Sequence, residues 1–448
     1  MATFNLLVSL FLAVASLQIA ISEEPNTSDA GLLVLTVATD TTDGLDRFLR
    51  SAKVYGHRVK VLGQGEDWRG GDVVRYPGGG QKVRILREEV AKHKDNPDLL
   101  IMFTDSYDVI LNAPPSQFLD EFQTFGSRVV FSAESVCWPD ESLADKYPEV
   151  PRGKRFLNSG AFIGYAPEIY EIVTHHDIED ADDDQLYYTK IFLDEGLRKK
   201  LDIKLDHKSQ LFQNINGATS ELVLGFRGTE AFVENTLYST VPLLLHGNGP
   251  TKQILNHYGN YLAKAWNPQD GCMECKERMN FLDGKDPKEF PRVMLALFIE
   301  QGTPFIEEWF KSLSLQEYPK DRMDLFIHNA AEYHDDHVAQ YVREFGKKYA
   351  SLKVIHSSDN TKEWHARNLA LEHFTSKEDA EWLFSVDSVA HLDNPYSIKL
   401  LVEQNRTVIA PLLIRPYKAW SNFWGALTTD GFYARSPDYM DIVQNKRR

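Results

Sequence analysis

Asp105 and Asp108 are the two residues whose types and spacing speak most directly of chemistry. They close the segment Ile101-Met-Phe-Thr-Asp-Ser-Tyr-Asp108, immediately behind an apolar run. Two hard anionic side chains there suit a divalent cation, which could bridge diphosphate oxygens and offset the charge building on a departing nucleoside diphosphate. Paired aspartates after a strand also serve as turn formers and caps, so the pair alone leaves both uses open. A second segment, Leu243-Leu-Leu-His246-Gly-Asn-Gly-Pro-Thr-Lys252, delivers a histidine into a glycine-containing loop. The N–H groups of Gly247 and Gly249 can approach phosphate closely, Lys252 can neutralise it, and His246 can complete an ion's shell. A nitrogen ligand beside two carboxylates favours Mn2+ over Mg2+. The plainer use of His246 is as a core histidine before a turn.

Four more positions, in three segments, bear on this chemistry. The run Asp177–Asp184 holds six acids in eight positions; such runs are mostly solvated faces. Its last members, Asp183 and Asp184, open a helix-like stretch where a carboxylate can hydrogen-bond sugar hydroxyls or an acceptor. Trp138, in Ala133-Glu-Ser-Val-Cys-Trp138-Pro, can stack on a sugar, gate the site or simply pack. Asn158 belongs to Leu157-Asn-Ser-Gly-Ala161, read as an amide-plus-glycine turn.

The elements that would carry these residues follow from apolar patterning. Leu32–Ala38 is a continuous apolar run, expected as a strand buried on both faces, with a helix over 45–54 behind it. Strand character resumes at Val59–Leu62, helical spacing at Lys82–Val90, and strands at Leu99–Phe103 and Arg128–Glu134. Alternating strands and helices indicate a parallel α/β sheet, whose ligands bind at the carboxyl ends of the strands. Turn formers over 267–287 mark a boundary. Beyond it the pattern restarts, with strands at Val293–Ile299, Asp324–His328, Trp382–Val386 and Thr407–Ile414 and helices at Phe305–Leu313 and Ala366–Phe374. Ile101–Asp108 aligns with Leu383-Phe-Ser-Val-Asp387-Ser-Val-Ala390, where the second carboxylate has become Ala390. Leu157–Ala166 has a looser echo in 424–434. This reads as a duplication whose second copy lost its ion.

At 448 residues the chain exceeds one ordinary core. Its 43% hydrophobic and 25% charged residues are those of a globular protein. A formal charge of -16 disfavours nucleic acid and fits a cationic polymer better. Residues 1–22 read as a signal peptide, with an apolar core from Leu6 to Ala20 too short for a membrane span, and no later run reaches about 18 apolar residues. Asn26-Thr-Ser and Asn405-Arg-Thr are glycosylation acceptors. In an oxidising lumen Cys272-Met-Glu-Cys275 favours a local disulfide, while a zinc site would need a second ligand pair, and none is visible nearby. Cys137 is assigned no chemistry.

Together these segments resemble the glycosyltransferase portion of the procollagen lysyl hydroxylase family, collagen-modifying enzymes of the endoplasmic reticulum. The motifs that carry the resemblance are Thr36-Val-Ala-Thr-Asp40, Phe103-Thr-Asp-Ser-Tyr-Asp108, Phe156-Leu-Asn-Ser-Gly-Ala161, Asp182-Asp-Asp-Gln-Leu186 and Leu245-His-Gly-Asn-Gly-Pro-Thr-Lys252, in family order. The resemblance implies an α/β fold of two tandem Rossmann-like glycosyltransferase A-type domains, the second degenerate. The expected layout is a leader over 1–22, a transferase domain over 23–266, a linker with the Cys pair over 267–287 and an accessory domain over 288–448. It implies Mn2+ at Asp105, Asp108 and His246. A UDP-sugar would lie against Val37, Ala38 and Thr39, against Asp105, Ser106 and Tyr107, and against Gly249, Pro250, Thr251 and Lys252. Lys82, Trp138, Asn158, Asp183 and Asp184 would shape the sugar and acceptor side. The implied reaction moves glucose from UDP-glucose to galactosyl-hydroxylysine of collagen, and in some members galactose to hydroxylysine.

The family's Fe2+- and 2-oxoglutarate-dependent hydroxylase domain would lie beyond Arg448. His334-Asp-Asp-His337 lacks the His-x-Asp spacing of such a site, so none is expected here. Expected partners are procollagen chains as acceptor and other collagen-modifying enzymes. The expected compartment is the endoplasmic reticulum lumen, with secretion as the alternative. The rival class is a catalytically silent binding protein that keeps nucleotide affinity and serves as an adaptor in collagen biosynthesis.

Overall fold

The computed structural model describes residues 31–72, 76–415, 417–428, 430–444 and 446. The leader and Asn26 therefore lie outside the described residues. The chain divides into two compact units, one formed by residues up to Leu222 with Asn235–Leu255, the other by Val223–Glu234 with Asn256 onward.

In the first unit, β1 (Leu32–Val37) is buried throughout and leads through Thr42 into α1 (Asp43–Tyr55). The Thr42 side chain accepts the Leu45 N–H, an N-cap that satisfies one of the helix's free donors. There follow β2 (Val59–Leu62), α2 (Gly80–Val90), β3 (Leu100–Thr104), β4 (Val109–Leu111), α3 (Pro115–Phe125) and β5 (Val129–Glu134). Next come β6 (Phe156–Tyr165), α4 (Ala166–Val173), α5 (Asp184–Leu193), α6 (Glu195–Lys200), β7 (Ile203–Asp206) and β8 (Phe212–Asn214). The hairpin strands β9 (Leu222–Arg227) and β10 (Glu230–Asn235) precede β11 (Leu244–His246) and α7 (Lys252–Gly259).

Six strands form one sheet in the order β2-β1-β3-β6-β5-β7. It is not wholly parallel as expected, because β6 runs antiparallel to both β3 and β5. Alternate residues of each strand serve opposite layers. Leu33, Leu35, Phe103, Phe131 and Phe162 pack against α2, α4 and α5. Leu32, Val34, Met102, Val130 and Ile163 pack against Phe48 of α1 and Phe118 and Phe122 of α3. A smaller sheet, β4-β11-β8, lies beside the first, with β11 antiparallel to β4 and parallel to β8.

Asn158 does not sit in a turn. Residues 156–165 continue as one strand because Leu157, Ala161, Phe162 and Ile163 alternate into both layers, and Gly160 lies within a bulge of residues 159–161, where the register of β5 against β6 shifts between Phe131 and Ser132.

The turn from β7 to β8 is built on Asp206, which is wholly buried. Its carboxylate accepts the backbone N–H groups of Gln210, Leu211 and Phe212, and so sets the start of β8.

The second unit carries β12 (Trp266–Asn267), β13 (Gly271–Cys272), α8 (Met273–Arg278), β14 (Val293–Ile299), α9 (Ile306–Ser314), β15 (Met323–Asn329) and α10 (Asp335–Phe345). It continues with β16 (Ser351–Ile355), α11 (Glu363–Thr375), β17 (Trp382–Asp387), α12 (Ser397–Glu403), β18 (Gly425–Leu427), β19 (Tyr433–Arg435) and α13 (Tyr439–Val443). Its main sheet, β16-β15-β14-β17, is parallel throughout.

Four expectations change here. Residues 267–287, read as a linker, fold as β12, β13 and α8, and the buried Leu282 gives its N–H to the Glu403 carboxylate. The β9–β10 hairpin, expected within the first domain, groups with the second unit, where Phe226 packs edge-on against Tyr261 and Trp266. Thr407–Ile414 is not a strand: Val408 is 88% exposed, Pro411 has no N–H to pair, and only Ile414 forms a bridge, with Ser421. The echo of β6 is a β18–β19 hairpin rather than one long strand. Cys272 and Cys275 form a disulfide, and Cys137 is free and buried. No helix among the described residues is long and apolar enough to cross a membrane.

Replacing Asp206 with Ala would strand two buried N–H groups and a part-buried one, and we expect a loss of about 3 kcal/mol in urea unfolding. Burial pushes the Asp206 carboxyl up to about 6, and its three N–H donors only partly offset this. A raised folded value means the wild type gains stability as pH falls through about 6. The gap between wild type and Asp206→Ala should thus be wider at pH 5 than at pH 7.

Candidate functional site

The carboxyl ends of β1 and β3, the turn into β4, the middle of β6, the start of α5 and the end of β11 converge on one place in the first unit. Asp105 follows β3 and Asp108 precedes β4, as expected of a loop at the sheet's carboxyl edge. That loop is held from three sides. Ser106 Oγ donates to the Val37 carbonyl at 2.9 Å, and the Tyr107 hydroxyl lies 3.1 Å from Asp40 N and 3.2 Å from its carbonyl. Gly44 of α1 approaches so closely that a Cβ there would stand 2.1 Å from the Tyr107 carbonyl oxygen.

His246 ends β11, and its Nε2 lies 3.7 Å from Asp105 Oδ2 and 3.7 Å from Asp108 Oδ1. The three ligand atoms all lie within 4.8 Å of one another, and no other such group occurs among the described residues. Those separations are too long for hydrogen bonds. They fit donors around one small octahedral cation, whose ligands at about 2.1 Å stand about 3 Å apart when adjacent and about 4 Å apart when opposite. Gly160 makes room for the ring, since a Cβ there would fall 2.1 Å from His246 Cε1; the Gly160 carbonyl also accepts the Asp105 N–H.

Lys82 of α2 joins this group to the acidic segment, reaching Asp105 Oδ1 at 3.0 Å and Asp184 Oδ2 at 2.6 Å. Burial would lower the lysine, but the two carboxylates outweigh it and hold the ammonium well above its ordinary range. Burial likewise acts to raise Asp105, and Lys82, His246 and Lys252 overcome it, leaving the carboxyl below its usual value. Asp184 goes the other way: burial raises it and Lys82 only partly opposes. Lys252 is 53% exposed, 3.4 Å from Asp108 Oδ2.

The remaining expected residues divide by role. Val37 and Ala38 turn their side chains into the core, and the Val37 carbonyl and Ala38 N–H are taken by Ser106 and the Leu62 carbonyl; Thr39 is part-buried. Gly247 offers no free donor, because its N–H is spent on the Asp108 carbonyl; Gly249, at φ 59°, and Pro250 are exposed, and the Thr251 hydroxyl is spent on the Asn248 carbonyl. Asp183 caps α5 rather than reaching outward. One oxygen accepts the Leu186 N–H and the other the Gly78 N–H, and burial pushes its carboxyl up to about 6. Trp138 is 49% exposed, so packing alone does not explain it. Asn158, nearly buried, donates to Glu134 and Gln185. Asn405 is exposed, its amide donating to the Arg278 carbonyl.

Four site residues escaped the sequence reading. Glu134 ends β5 and accepts amide donors from Asn158 at 3.0 Å, Gln185 at 2.9 Å and Asn248 at 3.0 Å; burial pushes its carboxyl up, and these bonds only partly offset that. Gln185 also reaches the Trp138 carbonyl at 3.1 Å, and Asn214 reaches His246. Glu134 at a strand end, Gln185 directly after Asp184 and Asn248 within the loop behind His246 were signals available in the sequence; Asn214 carried none.

In the second unit the aligned Asp387 is paired with Arg367 Nη2 at 2.7 Å, and Ala390 offers only its carbonyl, to Trp309 Nε1. The aligned acid of the second unit is thus paired with a cation from the helix before its strand, as Asp105 is with Lys82, but has no second carboxylate at position 390.

The comparisons with known proteins agree with this geometry. Residues 28–272 match the PLOD GT domain model, and residues 290–448 match the N-terminal domain of glycosyltransferase family 25. The chain is therefore built of two glycosyltransferase-type α/β domains in tandem, the second without the ligand set of the first. It is 49% identical over 416 residues to the multifunctional procollagen lysine hydroxylase and glycosyltransferase LH3 of Rattus norvegicus, covering 93% of this chain and 56% of that protein. It is 46% identical to procollagen-lysine,2-oxoglutarate 5-dioxygenase 1 of Gallus gallus, covering 94% and 57%. The corresponding enzyme 2 of Homo sapiens is 45% identical, with 95% and 58% covered. The chain belongs to the procollagen lysine hydroxylase and glycosyltransferase family, and spans somewhat over half the length of these relatives.

Gly160→Ala should weaken the binding of a divalent cation about tenfold or more, measured by isothermal titration, while thermal unfolding stays cooperative. Unchanged affinity would mean that the ring is not seated against β6.

Proposed function

We propose that the first unit is a Mn2+-dependent hexosyltransferase that takes a UDP-sugar as donor and collagen as acceptor, with glucose passed from UDP-glucose to galactosyl-hydroxylysine. Transfer of galactose to hydroxylysine is the second reaction to be assayed. The observation that carries the reading is the Asp105–Asp108–His246 group at the carboxyl edge of a glycosyltransferase-domain sheet.

A divalent cation bound there supplies electrostatic relief for the departing diphosphate. The chain's own residues supply the rest. Lys252 is exposed enough to swing from Asp108 to a phosphate oxygen, and Lys82 keeps its charge between two carboxylates. We assign Asp184, held by Lys82, and the half-exposed Trp138 to the sugar side. The names of the relatives support the collagen acceptor, and the Cys272–Cys275 disulfide supports an oxidising compartment, which we propose to be the endoplasmic reticulum lumen.

Release of UDP from UDP-glucose and UDP-galactose, with and without a hydroxylysine or galactosyl-hydroxylysine peptide, tests this directly. We expect Mn2+-dependent turnover that Asp105→Ala with Asp108→Ala lowers by at least about a thousandfold. Undiminished turnover in that double variant would remove the metal assignment. Asp387→Ala should leave turnover within about twofold of wild type and cost a few tenths of a kcal/mol in stability, since the Asp387 side chain is half exposed. Loss of turnover in folded Asp387→Ala would contradict an inert second copy.

A further inference from the structure

We propose that Asn214 is a positioning residue: it fixes the tautomer of His246, so that the ring presents an unprotonated Nε2 to the cation site. The inference rests on the metal-site reading above and extends it by one residue. The direction of each hydrogen bond can be traced from a group that has no choice. The Ala133 carbonyl only accepts, and it lies 2.9 Å from Asn214 Nδ2, which also lies 2.6 Å from Ser132 Oγ. With the amide nitrogen engaged there, Asn214 Oδ1 faces His246 Nδ1 at 2.8 Å. An amide oxygen cannot donate, so Nδ1 carries the proton. The neutral ring then has its lone pair on Nε2, the atom that faces both Asp105 and Asp108.

The arrangement has little freedom to change. Asn214 is 2% exposed and His246 4%, and they are register partners in the parallel pairing of β8 with β11. Gly160 closes on the ring from β6. Without the acceptor at Nδ1, an imidazole exchanges between two tautomers, and the one protonated on Nε2 would aim a donor at the cation's place.

The test compares wild type with Asn214→Leu, which removes the acceptor at similar volume, and Asn214→Asp, which keeps it. In metal-free protein labelled with 15N-histidine, the His246 ring is identified as the signal lost in His246→Gln. We expect it to be protonated on Nδ1 in wild type and Asn214→Asp, and mixed or reversed in Asn214→Leu. Mn2+ affinity, read by titration calorimetry, should fall about tenfold or more in Asn214→Leu and stay within about threefold in Asn214→Asp. If the leucine variant does not fold, Asn214→Ser, too short to reach the ring, takes its place. A wild-type ring protonated on Nε2 would overturn the proposal, as would an unchanged tautomer and unchanged affinity in folded Asn214→Leu. The expected tautomer in a wild type that binds no Mn2+ would instead overturn the metal-site reading, and with it the purpose assigned to Asn214.

Discussion

Crowded negative charge under partial burial is the constraint that the first unit's site must satisfy. Asp105, Asp108, Asp184 and Glu134 converge from β3, the turn into β4, α5 and β5, in a region where water is mostly excluded. Burial alone pushes such carboxyls toward their neutral form. The chain answers differently at each one. Lys82 sits between Asp105 and Asp184, Lys252 lies against Asp108, and Glu134 is ringed by three amides rather than by a cation. Asp105 and Asp108 are left facing a histidine nitrogen at a spacing that a divalent ion bridges and a hydrogen bond does not.

The second unit keeps the acid at the strand end and a cation beside it, without the rest of the ligand group among the described residues. Its parallel sheet brings Asp387 to the end of β17, just as β3 brings Asp105, but the partner is the guanidinium of Arg367. Glu363, one turn earlier on α11, shares the same guanidinium. Shared architecture is thus compatible with different chemistry, because the sheet dictates where strand ends lie and the loop residues decide what charge gathers there.

Rigidity around the ion site comes from close approach rather than from many bonds. Gly160 and Gly44 stand where any side chain would collide with His246 or with the backbone at Tyr107. Both glycines allow neighbouring segments to come within contact distance of the ligand loop. The amide network of Asn158, Gln185, Asn248 and Asn214 then fixes side chains that have no charge partner of their own.

Apolar runs such as Leu32–Val37 and Leu100–Thr104 were legible because a strand buried on both faces has to be apolar along its whole length, and the loops that end them necessarily held Asp105 and Asp108. The duplication was legible for the same reason, since Leu383–Asp387 repeats the run and the acid that ends it. Residues 156–165 were misread because Asn158 and Gly160 look like turn formers, and only a bulge against β5 keeps them in a strand. Asp183 appeared as a sugar ligand and became a helix cap once Gly78 was folded against it. By itself, the sequence determined the ligand types, the strands that deliver them and the loss of the second copy's carboxylate. Only the tertiary structure decided that Asn214 faces His246, that Glu134 is ringed by amides, and that the β9–β10 hairpin groups with the second unit. Those contacts join segments far apart in the chain, and local patterning carries no information about which distant strand will lie alongside.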